Sequence, residues 1–237
     1  MICVICVICV RHEVRGKEAA QCTHNKMQSS TIIMGSMAAG SVRCYAAMLQ
    51  AGKVIIDPDE RRLPLRHSHH RYLVDGPNGT QRLTIALDGS TNAMPVRMRD
   101  VRISEHGNWR HLHWGALYSA YGKSPYFDYI ADDLHSIIGG EQTSLLEFNT
   151  ALQNLIIDFL DLPIEIETKS ITPEIAAEAT DLRGLIGGKK PDTLPITDVP
   201  YYQVWASRHG FQPGLSILDL LMNTGRESIY TLQKMLP

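Results

Sequence analysis

The stretch from residue 31 to residue 57 constrains the fold most. Thr31-Ile-Ile-Met34 is a short apolar run with β-branched residues, and Gly35-Ser-Met-Ala-Ala-Gly40 follows as a loop of small side chains. Over 41–50, Val42, Tyr45, Ala46 and Leu49 recur at helical spacing and form one apolar face. Gly52 suits the position just past a helix end, and Lys53-Val-Ile-Ile-Asp57 reads as a second strand. Strand, helix and strand in so short a span are the ingredients of a parallel crossover, which places the two strands in one sheet with the helix across its face. A chain that starts this way belongs to the α/β class, or to a mixed α+β relative of it.

The remainder extends the sheet little and adds helices. Residues 58–69 are charged, contain two prolines and read as a loop. Arg71-Tyr-Leu-Val74 and Arg82-Leu-Thr-Ile-Ala-Leu87 flank Gly76-Pro-Asn-Gly79, a hairpin with proper turn chemistry. A loop at 88–95 leads to Val101-Arg-Ile103, expected to be a short strand. Three helical patterns follow. Trp109, Leu112, His113, Ala116 and Ala120 share the first stripe; Phe127, Ile130, Ala131, Leu134, Ile137 and Ile138 the second; Leu145, Phe148, Asn149, Leu152, Leu155, Ile156 and Phe159 the third. Ile164-Glu-Ile-Glu-Thr168 alternates as a strand with one wet face, and Pro173 suits a first helical turn. Residues 184–198 read as a loop and 200–210 as a helix. Ser216-Ile-Leu-Asp219 has the spacing of a capping box, and it opens an almost wholly apolar helix through Met222, closed by Asn223 and Gly225. A last helix carries Ile229, Leu232 and Leu236. The expected architecture is a small N-terminal mixed sheet packed with a mainly helical C-terminal half.

Residues 1–26 differ from the rest. Cys3, Cys6 and Cys9 sit in a threefold Ile-Cys-Val repeat with no partner cluster of Cys or His at a typical distance, so the spacing does not argue for a metal. With Cys22 and Cys44 the count is odd and crowded at one end, which is no disulfide framework. The apolar run at 2–10 is too short to span a membrane and lacks a cleavage site, and 11–26 is polar without periodicity. We read 1–26 as a disordered or spurious extension and 27–237 as the folded domain. The net charge of −2 gives no case for nucleic acid. No stretch is apolar enough to be transmembrane, and a cytoplasmic setting follows from the cysteine usage.

Candidate chemistry centres on the first and third helical patterns. His113 stands on an apolar stripe between Trp109 and Ala116. It is either a core histidine bonded within the fold or a ligand-facing base. On a helix, His111 and His113 lie roughly 200° apart and cannot share one ion, so no metal site is assigned. Asn149 likewise interrupts an apolar stripe. It either fixes register across the core or holds a ligand, orienting His113 or donating to an oxyanion. Trp114, Tyr118, Tyr121 and Tyr126 form an aromatic cluster that serves as core or offers rings with polar tips to a sugar or base. Lys123 is a solvated lysine or a point charge for phosphate. Ser36, in the loop that enters the first helix, stands where a helix N-terminus favours anions, but the loop has neither a P-loop nor a dinucleotide motif. His67-Ser-His-His70 is read as a chance surface cluster. No motif assigns a cofactor.

His113-Trp-Gly-Ala-Leu-Tyr-Ser-Ala-Tyr121, Ser124-Pro-Tyr-Phe127, Asp132-Asp-Leu134 and Phe148-Asn149 resemble the WbqC-like family. So do Tyr202-Gln-Val-Trp205 and the ungapped run Gly210-Phe-Gln-Pro-Gly-Leu-Ser-Ile-Leu-Asp-Leu-Leu-Met-Asn-Thr-Gly225. The resemblance covers residues 29–237. It implies a bacterial protein of O-antigen or other surface-polysaccharide biosynthesis, and a transferase moving a glycyl or other amino-acyl group onto an amino sugar. The partner would be a nucleotide- or lipid-linked sugar, with His113 as base, Asn149 as orienter or oxyanion donor, and Ser36, Trp114, Tyr118, Tyr121, Lys123 and Tyr126 as substrate contacts. A non-catalytic sugar- or protein-binding module of a polysaccharide assembly system is the alternative. Family members often carry aromatic and proline residues after the first strand, where this chain has Ser36-Met-Ala-Ala39. That departure bears on the substrate wherever this loop shapes the pocket.

Overall fold

A computed structural model describes residues 30–61, 69–89, 96–186 and 192–237. The N-terminal repeat with its cysteines, together with Arg62, Arg66 and His67, lies outside the described residues. The parallel crossover is present: β1 (Ser30–Met34) and β2 (Gly52–Ile56) pair in parallel with Met34 opposite Ile56, joined by α1 (Val42–Ala51). The Ser41 hydroxyl accepts from Cys44 N and caps α1, and Gly52 takes the left-handed conformation (φ 76°) that ends it. Three alanines make α1 slim. It is buried on nearly all sides, between the sheet and the C-terminal helices.

The hairpin follows as β3 (Arg71–Gly76) and β4 (Gly79–Thr84), turning through Pro77 and Asn78. Residues 101–103, expected as a strand, instead make single-residue bridges, Ile103 to Leu87 and Arg102 to Ser144. The reason is local: Ile103 N bonds Thr143 O and Leu145 N bonds Val101 O, so this stretch is tied to the start of the helix that begins at Leu145.

The three helical patterns become α2 (Trp109–Tyr121), a 3-10 turn (Phe127–Tyr129) leading into α3 (Ala131–Ile138), and α4 (Leu145–Leu160). The buried stripe of α2 is rotated from the one expected. Trp109, His113, Leu117, Ala120 and Tyr121 are inside, while Leu112 is 65% exposed. Packing of α2 against the hairpin selects that face.

β5 (Glu165–Thr168) pairs in parallel with β2, where Lys53 on β2 forms ion pairs with Glu165 (3.0 Å) and Glu167 (2.7 Å). α5 (Pro173–Glu178) precedes β6 (Thr180–Asp181), a two-residue strand parallel to β1 that no periodicity reveals. The sheet order is β5-β2-β1-β6, all parallel.

Of the helix expected over 200–210, only α6 (Ala206–His209) is helical. Residues before it spend their polar groups on contacts to α7 (Ile217–Thr224): Tyr201 Oη donates to Asp219 (2.7 Å) and Val204 N to Asn223 Oδ1 (3.1 Å). Asp219 therefore serves this segment and does not close a capping box, although Ser216 caps α7 through Leu218 N. α8 (Ser228–Lys234) completes the chain and packs on α1. One contiguous apolar cluster joins β1, β2 and α1 to α2, α3, α4, α7 and α8.

Candidate functional site at the carboxyl edge of the parallel sheet

In parallel sheets, ligands bind in the crevice beyond the carboxyl ends of the strands. Here β1 and β2 end side by side, and the chain leaves them as Gly35-Ser36 and as Asp57. The Asp57-Pro-Asp-Glu60 turn folds back over the strand end. Asp57 Oδ1 accepts from Asp59 N (2.9 Å) and Asp57 O from Glu60 N (3.3 Å). An unusual density of buried polar side chains results, with Ser36, Asp57, Glu60, His69, His70 and Asn149 all buried.

Close approach explains Gly35. A Cβ there would stand 2.6 Å from Glu60 Oε2 and 3.1 Å from His69 Cε1, so carboxylate and imidazole flank the end of β1 in space that only glycine leaves. His69 Nδ1 lies 2.6 Å from the Ser36 carbonyl oxygen. A carbonyl only accepts, so Nδ1 carries the proton, and in the neutral ring Nε2 holds the lone pair. Arg183 reaches the same edge. Its guanidinium donates to Asp57 Oδ2 (2.7 Å) and to Asp181 on β6, and its pKa is raised first by that Asp181 bond, with Asp57 and Glu60 adding to it.

Asn149, on the buried stripe of α4, closes the cluster. Its amide donates to Ser36 Oγ (3.0 Å) and to the His69 carbonyl (2.9 Å). The carbonyl fixes the orientation of the amide, and both amide hydrogens are committed. Its Oδ1 is buried and has no hydrogen-bond partner among the described residues. Of the roles expected from sequence, orienter or oxyanion donor, the engaged amide hydrogens leave none for an oxyanion in this arrangement, and what Asn149 offers is an acceptor.

His113 lies elsewhere. Its Nε2 is 2.6 Å from the Tyr72 hydroxyl of β3, and its ring meets the edge of Trp109 at 5.5 Å. Burial pulls its pKa down to about 4 and raises that of Tyr72, so the pair is neutral near pH 7. Trp109 also touches Phe148 (6.0 Å), the neighbour of Asn149. Packing thus links His113 to Asn149, while each bonds different polar partners.

The aromatic candidates separate as well. Trp114 stacks on His135 (4.6 Å) and Phe127 (5.9 Å), and Tyr118 meets Phe127 at 5.6 Å while 60% exposed. Tyr129, 74% exposed, meets Tyr126 at 6.0 Å. Tyr126 packs against Gly225, Lys123 is exposed, and Tyr121 is wholly buried near Asp219. Of the residues chosen from sequence, only Ser36 and Asn149 meet directly. The N-terminus of α1, which that reading offered to an anion, is capped by Ser41 and faces the chain's own Asp192 carboxylate, which the Ser41 hydroxyl also bonds.

Sequence reasoning missed Glu60 and His69. His69 and His70, read as surface chance, are 1% and 5% exposed. The available signal was position, since Glu60 follows the second strand of a crossover by one turn. A groove of about 180 Å³ lined by residues 76–81, Ala116 and Ser119 is smaller than the roughly 300 Å³ that small-molecule clefts need. Among the described residues, no helix is long and apolar enough to cross a membrane.

Comparison with known proteins agrees with the resemblance. The model of the WbqC-like protein family matches residues 45–186. The chain is 27% identical over 197 residues to the uncharacterized protein Rv1507c of Mycobacterium tuberculosis (strain ATCC 25618 / H37Rv), covering 72% of this chain and 83% of that protein. No solved structure matches.

Proposed function

The chain belongs to the WbqC-like protein family, and on that footing we propose that it is a transferase that moves an amino-acyl group, such as glycyl, onto the amine of an amino sugar in bacterial surface-polysaccharide synthesis. The observation that carries this reading is the buried Asn149 Oδ1, an acceptor without a partner among the described residues, at the strand end that His69 and Glu60 flank. An amine donates N–H, and an unpaired buried acceptor is the group that would hold it.

The amine nitrogen attacks the carbonyl carbon of an activated acyl donor and forms the new amide bond. The bond to the donor's leaving group breaks, and that group departs with the electron pair. The proton lost by the nitrogen goes to His69 Nε2, whose lone pair is set by the Nδ1 bond to Ser36 O. Glu60, beside the ring, stabilises the imidazolium. The ion pair of Arg183 and Asp57 stands at the same edge. In this assignment the base is His69, and His113 supports the hairpin from within.

The test is mass spectrometry of nucleotide-linked amino sugars incubated with the full chain and a panel of activated glycyl and other amino-acyl donors. The expected product is the N-acylated sugar, made by the wild type and lost in a folded His69→Gln variant. Full turnover in that variant overturns the assignment.

Half-buried Trp114 and exposed Tyr118, which share Phe127 as a neighbour, favour a second reading, a non-catalytic module that binds sugar or protein. That reading predicts binding without product, abolished by Trp114→Ala and unaffected by His69→Gln.

A further inference from the structure

β5 and β2 end side by side at the carboxyl edge, with Thr168 opposite Ile56. Lys169 and Ser170 follow β5, and the Asp57–Glu60 turn follows β2. A 3-10 turn over Met98–Asp100 is stitched to that second turn. Met98 N donates to Glu60 O (3.0 Å) and Arg99 N to Pro58 O (3.0 Å). This brings two arginines onto one carboxylate. Arg97 Nη1 is 3.2 Å from Asp59 Oδ1, and Arg99 Nη2 is 2.5 Å from Oδ2, which the Ser170 hydroxyl also reaches at 2.5 Å.

Arg61 stands directly opposite Arg97 in an antiparallel bridge. The bond from Met98 N to Glu60 O flanks that bridge, so the pair is of the non-hydrogen-bonded kind. In such a pair the facing side chains come closest, with Cα atoms roughly 4.5 Å apart. Like charges so placed repel. Against three guanidinium groups stands one carboxylate in contact, that of Asp59. Asp57 is engaged by Arg183, the Glu60 carboxylate flanks the end of β1, and Asp100 forms no ion pair among the described residues. Two positive charges are left in excess. All three arginines are exposed, and Arg97 and Arg99 each give Asp59 a single nitrogen, so most of their N–H donors are open to a ligand.

We propose that Arg61, Arg97 and Arg99, with the Ser170 hydroxyl, bind the diphosphate group of a ligand at the carboxyl edge of the sheet. A guanidinium meets phosphate oxygens with a planar fork of donors. A diphosphate diester carries one negative charge per phosphate, which balances the excess. Exposed ion pairs such as Arg97–Asp59 hold weakly, so the arginines turn from the carboxylate to the phosphates at little cost. Asp59 is the resident counter-ion that keeps them gathered when no ligand is bound. Glu60 lies between Asp59 and Arg61 in the chain, so the site adjoins the crevice, where it would hold the phosphate handle of an activated sugar. That last role rests on the transferase reading, and the diphosphate chemistry stands without it.

Titration calorimetry of the full chain with inorganic pyrophosphate, uridine diphosphate and farnesyl diphosphate tests the site. The wild type should bind pyrophosphate, and less tightly as salt rises. Arg61→Gln and Arg97→Gln should each weaken binding about tenfold or more. Arg61 is exposed, so the first change should leave the fold intact. Asp59→Asn removes the competing charge and should tighten binding, while Lys234→Gln, on exposed α8 surface, should leave it unchanged. Tighter binding of uridine diphosphate than of farnesyl diphosphate assigns the ligand to a nucleotide, and the reverse order to a lipid, through the same arginines. No binding by the folded wild type, unchanged affinity in folded Arg61→Gln and Arg97→Gln, an equal loss in Lys234→Gln, or no gain in Asp59→Asn overturns the site. An N-acylated sugar made by a chain that ignores pyrophosphate sinks this site alone. Arginine-dependent pyrophosphate binding without any acylated product sinks the transferase reading alone.

Discussion

The Tyr72 hydroxyl and Nε2 of His113 lie 2.6 Å apart, each on a side chain at most 6% exposed. The pair pins the hairpin to α2 and gives the fold an acid limit. Burial holds the His113 pKa at about 4, while the unfolded ring titrates near 6.5. Between those values the unfolded chain binds the additional proton. Stability is therefore full above about pH 6.5 and falls as pH drops towards 4, by roughly 3 kcal/mol for this shift. Urea denaturation across that range should show the loss in the wild type and a shallower limb in His113→Gln. Tyr72→Phe leaves the imidazole nitrogen without its partner and should cost about 1–3 kcal/mol at pH 7.

Asn149 should be more sensitive to charge than to truncation. Asn149→Ala leaves the His69 carbonyl without its donor, at about 1–3 kcal/mol. Asn149→Asp preserves the shape but turns carboxylate oxygens toward the same carbonyl, so it should be the less stable variant. Denaturation at neutral pH and again near pH 4 checks the order, since protonating the new carboxyl restores one donor and should narrow the difference.

Gly225 ends α7 at φ 56° and ψ −138°, and a Cβ there would lie 2.4 Å from the Tyr126 ring. Backbone strain and collision act together, so Gly225→Ala should cost about 2 kcal/mol or more. Tyr126→Ala relieves the collision and leaves the strain. In calorimetry, the double variant should therefore lose less stability than the two single changes summed.

These pairs show what the sequence carried and what it did not. The crossover, the hairpin and the three central helices were legible because each rests on local periodicity and local stop signals, such as Gly52 and Gly139. β6 was not legible, because two residues have no period and only the edge of β1 makes them a strand. The missing turns near residue 200 have a similar cause, as Tyr201 and Gln203 bond Asp219 across the fold. At the site, Ser36 and Asn149 stood out as a small polar residue at a strand end and an amide on an apolar stripe. Glu60 and His69 flank the end of β1 but stand outside any periodic segment of the sequence, so no spacing marks them. Leu112 and Leu117 exchange places because the α2 pattern tolerates either face until the hairpin chooses one.

The central claim is that the carboxyl edge of the sheet holds an amino sugar, with Asn149 Oδ1 accepting from its amine. Titration calorimetry of the full chain with a nucleotide-linked amino sugar, and with the same sugar nucleotide carrying a hydroxyl or an N-acetyl group in place of the amine, tests it most directly. The account predicts tightest binding to the free amine and a loss of that preference in Asn149→Ala, with Trp114→Ala retaining it. Equal binding of all three sugars, or a preference for the amine that survives in folded Asn149→Ala, would contradict it.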